Sequence, residues 1–171
     1  FIRTFGTQGG ALGQFSGPSS VAVNSKNEII VCDSGNHRIQ LFTEHGALIK
    51  TMGGHGGGNQ SLNTPTRVIT TASDDIIVSD SGNSRVQWFD EALNFKKTIG
   101  TEPINGSRFQ FHTIFVDLHG FILMVDTGYS FLNVYSPEGS FLQSVKRTTG
   151  QFLAQSTFTQ DDKGRLITCS T

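Results

Sequence analysis

The chain has 171 residues and a formal net charge of −1, from 13 Lys and Arg against 14 Asp and Glu, which excludes a uniformly basic protein that coats nucleic acid and an acidic tail. Only 16% of the residues are charged, while 20 are Gly and 14 are Phe, and this composition favours many short strands and turns over charged amphipathic helices. No run of about 18 apolar residues is present, so the sequence predicts no membrane-spanning helix.

The two cysteines, Cys32 and Cys169, are too few for a disulfide framework and lack the paired spacing of a zinc site. We therefore expect a reduced, intracellular setting. Residue 1 is Phe rather than Met, from which we expect a fragment or a processed product of a longer chain.

A unit of about 46 residues repeats along the chain. The segment 29–42 recurs as 76–89 and again as 122–135, and a fourth copy begins at Gly164. Asp33 returns as Asp80, 47 residues later, and as Asp126, a further 46 residues on. Such self-similarity at a fixed period indicates a repeat architecture.

Each unit is predicted to contain four short strands. The first is an apolar segment at 21–23, 68–70 and 114–116, and the second is the β-branched run that ends at Asp. The tetrapeptide Asp-Ser-Gly-Asn then makes a tight reversal in which Gly accepts a positive φ. The third strand is Arg38–Phe42 and its copies, and the fourth is Leu48–Gly53, 95–100 and 141–145.

Four antiparallel strands per unit at this period predict the blades of an all-β propeller. We expect the last strand of a preceding blade at 1–6, blade 1 at 18–53, blade 2 at 65–100, blade 3 at 111–145 and the start of blade 4 at 152–171. Because a propeller needs typically 4 to 8 blades, we expect an incomplete arc of a larger ring, completed by a longer chain or by another chain.

The repeated pattern reads Gly-x-Phe, Pro-x-x-Val-Ala-Val, Ile-Ile-Val-x-Asp-Ser-Gly-Asn-x-Arg-Ile-Gln-x-Phe and Lys-Thr-x-Gly. It resembles the NHL repeat and is most similar to the C-terminal propellers of the TRIM-NHL family. The resemblance implies a six-bladed ring, a cytoplasmic location, and binding of RNA or partner proteins in post-transcriptional regulation. Some relatives carry a RING ubiquitin-ligase module. The third copy departs from the pattern, because Phe111 replaces the Pro of Pro18 and Pro65, and Phe131 replaces the Arg.

Three carboxylates, Asp33, Asp80 and Asp126, share one position of the repeat. We interpret them as structural, since an Asp at the start of a turn accepts local backbone N–H groups. Arg38 and Arg85 follow the turn and are expected to pair with it or brace it. The glycine-rich segment 53–58 lacks the Gly-Lys-Ser/Thr ending of a phosphate-binding loop and is interpreted as a flexible inter-blade loop.

Some NHL-type propellers resemble metal-dependent lyases with histidines around the central channel. The five histidines here, His37, His45, His55, His112 and His119, occupy five different positions of the repeat, so we do not expect them to converge on one metal. We therefore expect no metal, no cofactor and no enzymatic activity.

Charge is predicted to be unequal on the two faces of the ring. We call the face with the turns between second and third strands and the inter-blade loops the top, and the face with the remaining turns the bottom. The top carries six bases (Arg38, Arg67, Arg85, Arg108, Lys146, Arg147) and four acids (Asp33, Asp80, Asp126, Glu102), or +2. The bottom carries three bases (Lys26, Lys163, Arg165) and ten acids (Glu28, Glu44, Asp74, Asp75, Asp90, Glu91, Asp117, Glu138, Asp161, Asp162), or −7.

A cationic face with interleaved aromatic side chains is typical of binding to single-stranded or stem-loop RNA, because Arg and Lys hold phosphates while bases stack on rings. The predicted RNA-binding residues are Arg67, Arg108, Phe109, Phe111, His112, Tyr129, Phe131, Lys146 and Arg147. Two alternatives stay open: an ordinary solvated loop surface, and a protein-interaction platform such as one that recruits substrates to a ubiquitin ligase.

Overall fold

The computed structural model describes residues 4–100, 111–126, 131–146, 157–160 and 166–169, and the regular elements in these ranges are strands and two single-turn 3₁₀ helices. A short pair, β1 (Thr7–Gln8) and β2 (Gln14–Phe15), precedes the blades. The blade strands are β3 (Pro18–Val23), β4 (Ile29–Asp33), β5 (Arg38–Phe42) and β6 (Leu48–Gly53), then β7 (Arg67–Thr70), β8 (Ile76–Asp80), β9 (Arg85–Phe89) and β10 (Phe95–Ile99), then β11 (Phe111–Val116), β12 (Ile122–Asp126), β13 (Phe131–Tyr135) and β14 (Phe141–Lys146), then β15 (Thr157–Gln160) and β16 (Leu166–Cys169).

In each of the first three blades the four strands lie side by side in chain order, and every neighbouring pair is antiparallel. Strands β15 and β16 form a further antiparallel pair, whereas β1 and β2 are parallel. The predicted all-β fold of four-stranded antiparallel blades is confirmed. The six-blade count of the complete ring stays a prediction.

The 3₁₀ helices Ser34–Asn36 and Ser81–Asn83 make the turns between the second and third strands of blades 1 and 2. At the top of each blade the last residue of the second strand faces the first residue of the third. These cross-strand pairs are Asp33 with Arg38, Asp80 with Arg85, and Asp126 with Phe131.

The start of the described chain differs from the expectation for segment 1–6. Residues 4–6 are not in a strand, and residues 1–3 lie outside the described part. Residues 152–156 of the predicted fourth blade also lie outside it. The Phe5 ring instead packs against Phe15 and Phe42, with ring centres 6.4 and 5.1 Å away. Since Phe42 ends the third strand of blade 1, this aromatic contact attaches the segment to that blade.

Apolar side chains fill the space between neighbouring blades, and strand β8 shows why. Ile76 and Val78 belong to the cluster shared with blade 1, whereas Ile77 belongs to the cluster shared with blade 3. Successive strand residues point to opposite faces of a sheet, so a blade with a neighbour on both sides needs a continuous apolar run. The Ile-Ile-Val run of the repeat supplies it.

Cys32 lies within the first of these clusters as a free, fully buried thiol. Burial raises the pKa of the Cys32 thiol, which disfavours the nucleophilic thiolate form. The side chain of Cys169 lies outside the described residues. In the ranges that the structure describes, none of the helices has the length and apolar character needed to cross a membrane.

Candidate nucleic-acid interface

The repeated geometry of the top face starts at a buried carboxylate in blade 1. Asp33 is fully buried, and its Oδ1 accepts a hydrogen bond from the Ser16 N–H at 2.7 Å. Its Oδ2 accepts from Asn36 Nδ2 at 2.9 Å, Arg38 Nε at 2.8 Å and Gln40 Nε2 at 3.1 Å. A buried charge needs this degree of pairing to be tolerated.

Arg38 extends the same network to the loop that precedes the blade. Its Nη1 donates to the carbonyl of Gly10 at 3.0 Å, and its Nη2 donates to those of Ala11 at 2.7 Å and Gln14 at 2.8 Å. We call the set Asp33, Asn36, Arg38 and Gln40 the clamp of blade 1. The expectation that Arg38 pairs with the turn is met by the geometry, and its guanidinium is committed to one carboxylate and three carbonyls.

Blade 2 repeats the clamp with Asp80, Asn83, Arg85 and Gln87. Arg85 Nε lies 2.7 Å from Asp80 Oδ2, and Asp80 Oδ1 accepts the Asn63 N–H at 2.7 Å. The guanidinium also donates to the carbonyls of Gly57 and Gly58, both at 2.8 Å. The two clamp arginines, Arg38 and Arg85, are thus neutralised by their own aspartates and do not add to a cationic surface.

Two expectations about these turns are wrong. Asp33 and Asp80 do not accept the N–H groups of their own turns; they accept from an inter-blade loop 17 residues earlier in the chain. The glycine of the turn is not at a positive φ either, because that conformation belongs to His37 (56°) and Ser84 (52°). Gly35 is required by a close approach, since a Cβ there would lie 2.6 Å from the carbonyl oxygen of Ser16.

The glycine-rich segment 53–58 is also held more firmly than a flexible loop. Besides the two carbonyls bonded to Arg85, the carbonyl of Gly56 accepts from Asn83 Nδ2 at 2.8 Å. These three consecutive acceptors match Gly9, Gly10 and Ala11 of the preceding loop, which serve blade 1. The segment therefore supplies the backbone acceptors of the blade 2 clamp.

Blade 3 keeps the buried carboxylate and changes its surroundings. Asp126 is 1% exposed, but Phe131 occupies the position of the clamp arginine and Asn133 that of the clamp glutamine. Phe131 is half-buried and pairs across the sheet with exposed Lys146. The Lys146 ammonium lies 5.8 Å from the centre of the Phe131 ring. A partly exposed ring beside a cation thus stands where blades 1 and 2 have a closed polar network.

Arg67 is positioned differently, at the start of the innermost strand of blade 2. It lines a cleft of about 270 Å³ with side chains of the innermost strands of all three blades, including Ser20 and Thr113. Ser20, Arg67 and Thr113 are equivalent, because each pairs with the residue just before the column of aspartates. Within the described ranges no carboxylate lies within ion-pair distance of Arg67 or Lys146.

For the other predicted RNA-binding residues the structure does not describe the side chains. Arg108, Phe109, Tyr129 and Arg147 lie outside the described residues, and for Phe111 and His112 the structure describes the backbone of β11 alone. Of the nine predicted residues, the structure therefore gives the side-chain surroundings of Arg67, Phe131 and Lys146. It brings Phe131 and Lys146 together.

One contact on the top face was not foreseen from the sequence. The rings of His37 and His55 meet edge to face with their centres 4.8 Å apart, and His37 Nδ1 accepts the Thr64 N–H at 2.9 Å. The two histidines occupy different positions of the repeat, and they meet because the turn of one blade lies against the loop that leads to the next. In the described part of the chain, no three His, Cys, Asp or Glu side chains form a group that could hold a metal ion.

Comparisons with known proteins identify the repeat. The family model of the NHL repeat matches residues 15–42 and 62–89. Over 42 residues the chain is 57% identical to Protein brain tumor of Drosophila melanogaster, which is 25% of this chain and 4% of that protein. It is 44% identical over 48 residues to the E3 ubiquitin-protein ligase TRIM32 of Homo sapiens, which is 28% of this chain and 7% of that protein.

Solved structures extend the likeness to most of the chain. A streptogramin B lyase aligns over 90% of this chain and 54% of its own, with a TM-score of 0.66 and 12% identity. A virginiamycin B lyase from Staphylococcus aureus aligns over 88% of this chain and 47% of its own, with a TM-score of 0.67 and 8% identity. The chain spans about half the length of these structures, and at such identity the likeness concerns the fold. Residues 15–42 and 62–89 thus match the NHL repeat, and over short stretches this β-propeller is similar to TRIM-NHL proteins.

Proposed function

We propose that this propeller is an interaction domain that binds single-stranded or stem-loop RNA on its top face, acting in cytoplasmic post-transcriptional regulation without catalysing a reaction. The observation that carries the proposal is the top of blade 3, where the Phe131 ring and the Lys146 ammonium replace the closed clamp of the other blades. An aromatic ring that stacks a base beside a cation that holds its phosphate is the basic unit of single-strand recognition.

Arg67 adds a second cation near the mouth of the central channel. Since Arg38 and Arg85 are paired within their clamps, Arg67 and Lys146 are the described top-face cations that can engage phosphates. The net charge of the top face matters less in this view than which cations are already paired.

A salt titration tests the proposal. Binding of a fluorescein-labelled uridine dodecamer would be followed by anisotropy from 50 to 300 mM KCl for the full chain and for the Arg67→Ala/Lys146→Ala variant. Each phosphate contact to a single strand contributes a slope of about −0.7 in log K against log salt. The double variant is expected to bind more weakly and with a slope shallower by about 1.4.

Two further variants identify the face and the base contact. Lys26→Ala/Lys50→Ala removes two cations away from the top and should leave both affinity and slope unchanged. Phe131→Ala should weaken binding roughly tenfold with the slope unchanged, because stacking carries no counterion. Equal RNA affinity in the wild type and the Arg67→Ala/Lys146→Ala variant would contradict the proposal and favour an ordinary solvated surface.

A second candidate function is a protein-interaction platform, for example one that recruits substrates to a ubiquitin ligase. It is favoured by the acidic bottom face, whose described turns carry eight carboxylates and one lysine, Lys26, and by the likeness to TRIM32, named as an E3 ubiquitin-protein ligase. Capture of a protein partner by the Arg67→Ala/Lys146→Ala variant, as strongly as by the wild type, would support this candidate over RNA binding.

A further inference from the structure

The two bottom seams between blades are built differently. We define a bottom seam as the contact between the turn that joins the first two strands of one blade and the bottom turns of the next. In the seam between blades 1 and 2, the Ser25 N–H donates to Asp74 Oδ1 at 2.9 Å and the Ser25 hydroxyl also bonds to Asp74. Lys26 Nζ lies 2.6 Å from Glu91 Oε2. Two polar bridges thus close this seam.

The equivalent positions between blades 2 and 3 cannot form these bridges. The three turns can be aligned by one backbone hydrogen bond that each contains. The N–H of Asn24, Thr71 and Asp117 donates to the backbone carbonyl four residues later, that of Glu28, Asp75 and Phe121. By this register Ser25 and Asp74 become Ala72 and Gly120, while Lys26 and Glu91 become Ser73 and Pro137. Ala, Gly and Pro have no side-chain group that could bridge.

A cleft opens where the bridges are missing. It has a volume of about 560 Å³ and lies between Ala72 and Ser73 of blade 2 and Gly120 and Pro137 of blade 3. The volume falls within the range of roughly 300–1,000 Å³ that is common for ligand sites. Leu118, at the lip of the cleft, is 71% exposed.

The inner wall of the cleft is a fixed indole. Trp88 is 4% exposed, and its Nε1 donates to Asp75 Oδ2 at 2.8 Å. Lys96 Nζ lies 2.6 Å from the same oxygen, so Asp75 is neutralised. Lys97 Nζ lies 4.4 Å from the indole ring centre and donates to the carbonyl of Glu138. The wall is therefore rigid, and its charges are already engaged.

The bottom turns are acidic as a set, whereas the lining of the cleft carries two carboxylates, Asp75 and Glu138, and two lysines, Lys96 and Lys97. Exposed carboxylates of the bottom turns include Glu44, Glu91 and Glu138, and Lys26 is the basic residue of the described bottom turns. Charged patches select partners of opposite sign and speed their encounter. This surface therefore attracts lysine and arginine and repels phosphate.

We propose that this cleft binds an extended segment of a protein partner, with one large apolar side chain entering beside Trp88 and Leu118 while neighbouring Lys or Arg residues meet the acidic surroundings. An apolar anchor in a pocket with complementary charges at its edge is the common arrangement of small interface hot spots. The site lies on the opposite face from the proposed RNA site and does not depend on it.

The test uses three fluorescein-labelled peptides, GSKKFKKSG, GSKKSKKSG and GSEEFEESG, titrated with the full chain and followed by anisotropy. The first is expected to bind about tenfold more tightly than either of the others, because only it combines the apolar anchor with the basic neighbours. Equal binding of all three peptides, or no binding of the first, would overturn the proposal.

A closing variant ties the binding to the cleft. Ala72→Ser, Ser73→Lys, Gly120→Asp and Pro137→Glu together copy the bridged seam and should lower the affinity for GSKKFKKSG about tenfold. Gly120 has a φ of 85° and Asp74 has 61°, so Asp is compatible with that turn. Leu118→Ser changes one side chain that is 71% exposed and should lower the affinity about threefold. Unchanged affinity in both variants, or displacement of the peptide by a uridine dodecamer, would contradict the proposal.

Discussion

Blades 1 and 2 make the same polar contacts at the top of the ring, whereas blade 3 keeps the aspartate and replaces the residues around it. Asp33 and Asp80 each bind an arginine, an asparagine and a glutamine of their own blade. Asp126 faces Phe131 instead. The bottom seams differ as well, because the seam between blades 2 and 3 lacks the two polar bridges that close the seam between blades 1 and 2. In this molecule the repeated residues make polar contacts that hold the blades, and the two departures from the repeat coincide with the two sites that we propose.

The largest expected effect comes from removing the centre of a clamp. Asp80→Ala leaves the Arg85 guanidinium and the Asn63 N–H without their buried acceptor, and loss of one partner of a buried pair costs about 3–5 kcal/mol. The free energy of unfolding, measured by urea denaturation, should fall by that amount. Asp117→Ala is the matched control, because Asp117 accepts two turn N–H groups near the surface and should cost about 1 kcal/mol. Equal losses would contradict the special role of the clamp.

A second prediction concerns the close approach of the turn to the loop. A Cβ at Gly82 would lie 2.5 Å from Asn63 Cγ and 2.6 Å from its carbonyl oxygen, so Gly82→Ala should lower the free energy of unfolding by about 2 kcal/mol. Gly57→Ala is the control, since the nearest atom to its Cβ would be 4.0 Å away. That variant should stay within about 0.5 kcal/mol of the wild type. A neutral Gly82→Ala would show that the loop can move aside.

The strands could be predicted from the sequence, while the partners of the clamp could not. Alternation and β-branched runs of four to six residues depend on local chemistry, and the spacing of Asp33, Asp80 and Asp126 aligned the blades. Ser16 lies 17 residues earlier and donates to Asp33 through its backbone N–H, a group that the residue type does not reveal. The bridge between Ser25 and Asp74 spans 49 residues. A useful signal was present: residues about one period apart in neighbouring blades meet, so comparing them would have predicted the open seam.

A third prediction compares Gln87 and Asn133, which share one position of the repeat and for which we expect stability changes of opposite sign. Gln87 donates to the Ser61 carbonyl at 2.6 Å and accepts the Gln60 N–H at 3.1 Å, so Gln87→Leu should lower the free energy of unfolding by about 2 kcal/mol. Asn133 is fully buried, and within the described part of the chain its amide has no hydrogen-bond partner. Asn133→Leu should therefore raise stability by about 1 kcal/mol. Thermal and urea denaturation of both variants would check this, and a loss in both would remove the distinction between the blades.

The smallest expected effect tests the bridge of the closed bottom seam through its titration. Hydrogen bonds from the Ser25 hydroxyl and N–H hold the pKa of Asp74 below its ordinary value. A group with a lowered pKa in the folded state contributes stability above its unfolded pKa, and this contribution is lost as the pH falls through the folded value. Ser25→Ala removes the hydroxyl and keeps the N–H, so the pKa of Asp74 should rise and part of this acid-dependent stability should disappear.

Carboxyl carbon NMR shifts of Asp74 between pH 2 and 6 would measure the change. Asp90, whose pKa is lowered by Asn94, provides the internal control, because Asn94 is untouched by the substitution. A parallel rise at Asp90 would mean that the whole bottom face had rearranged, whereas a rise at Asp74 alone would show that the seam is closed by this local bridge.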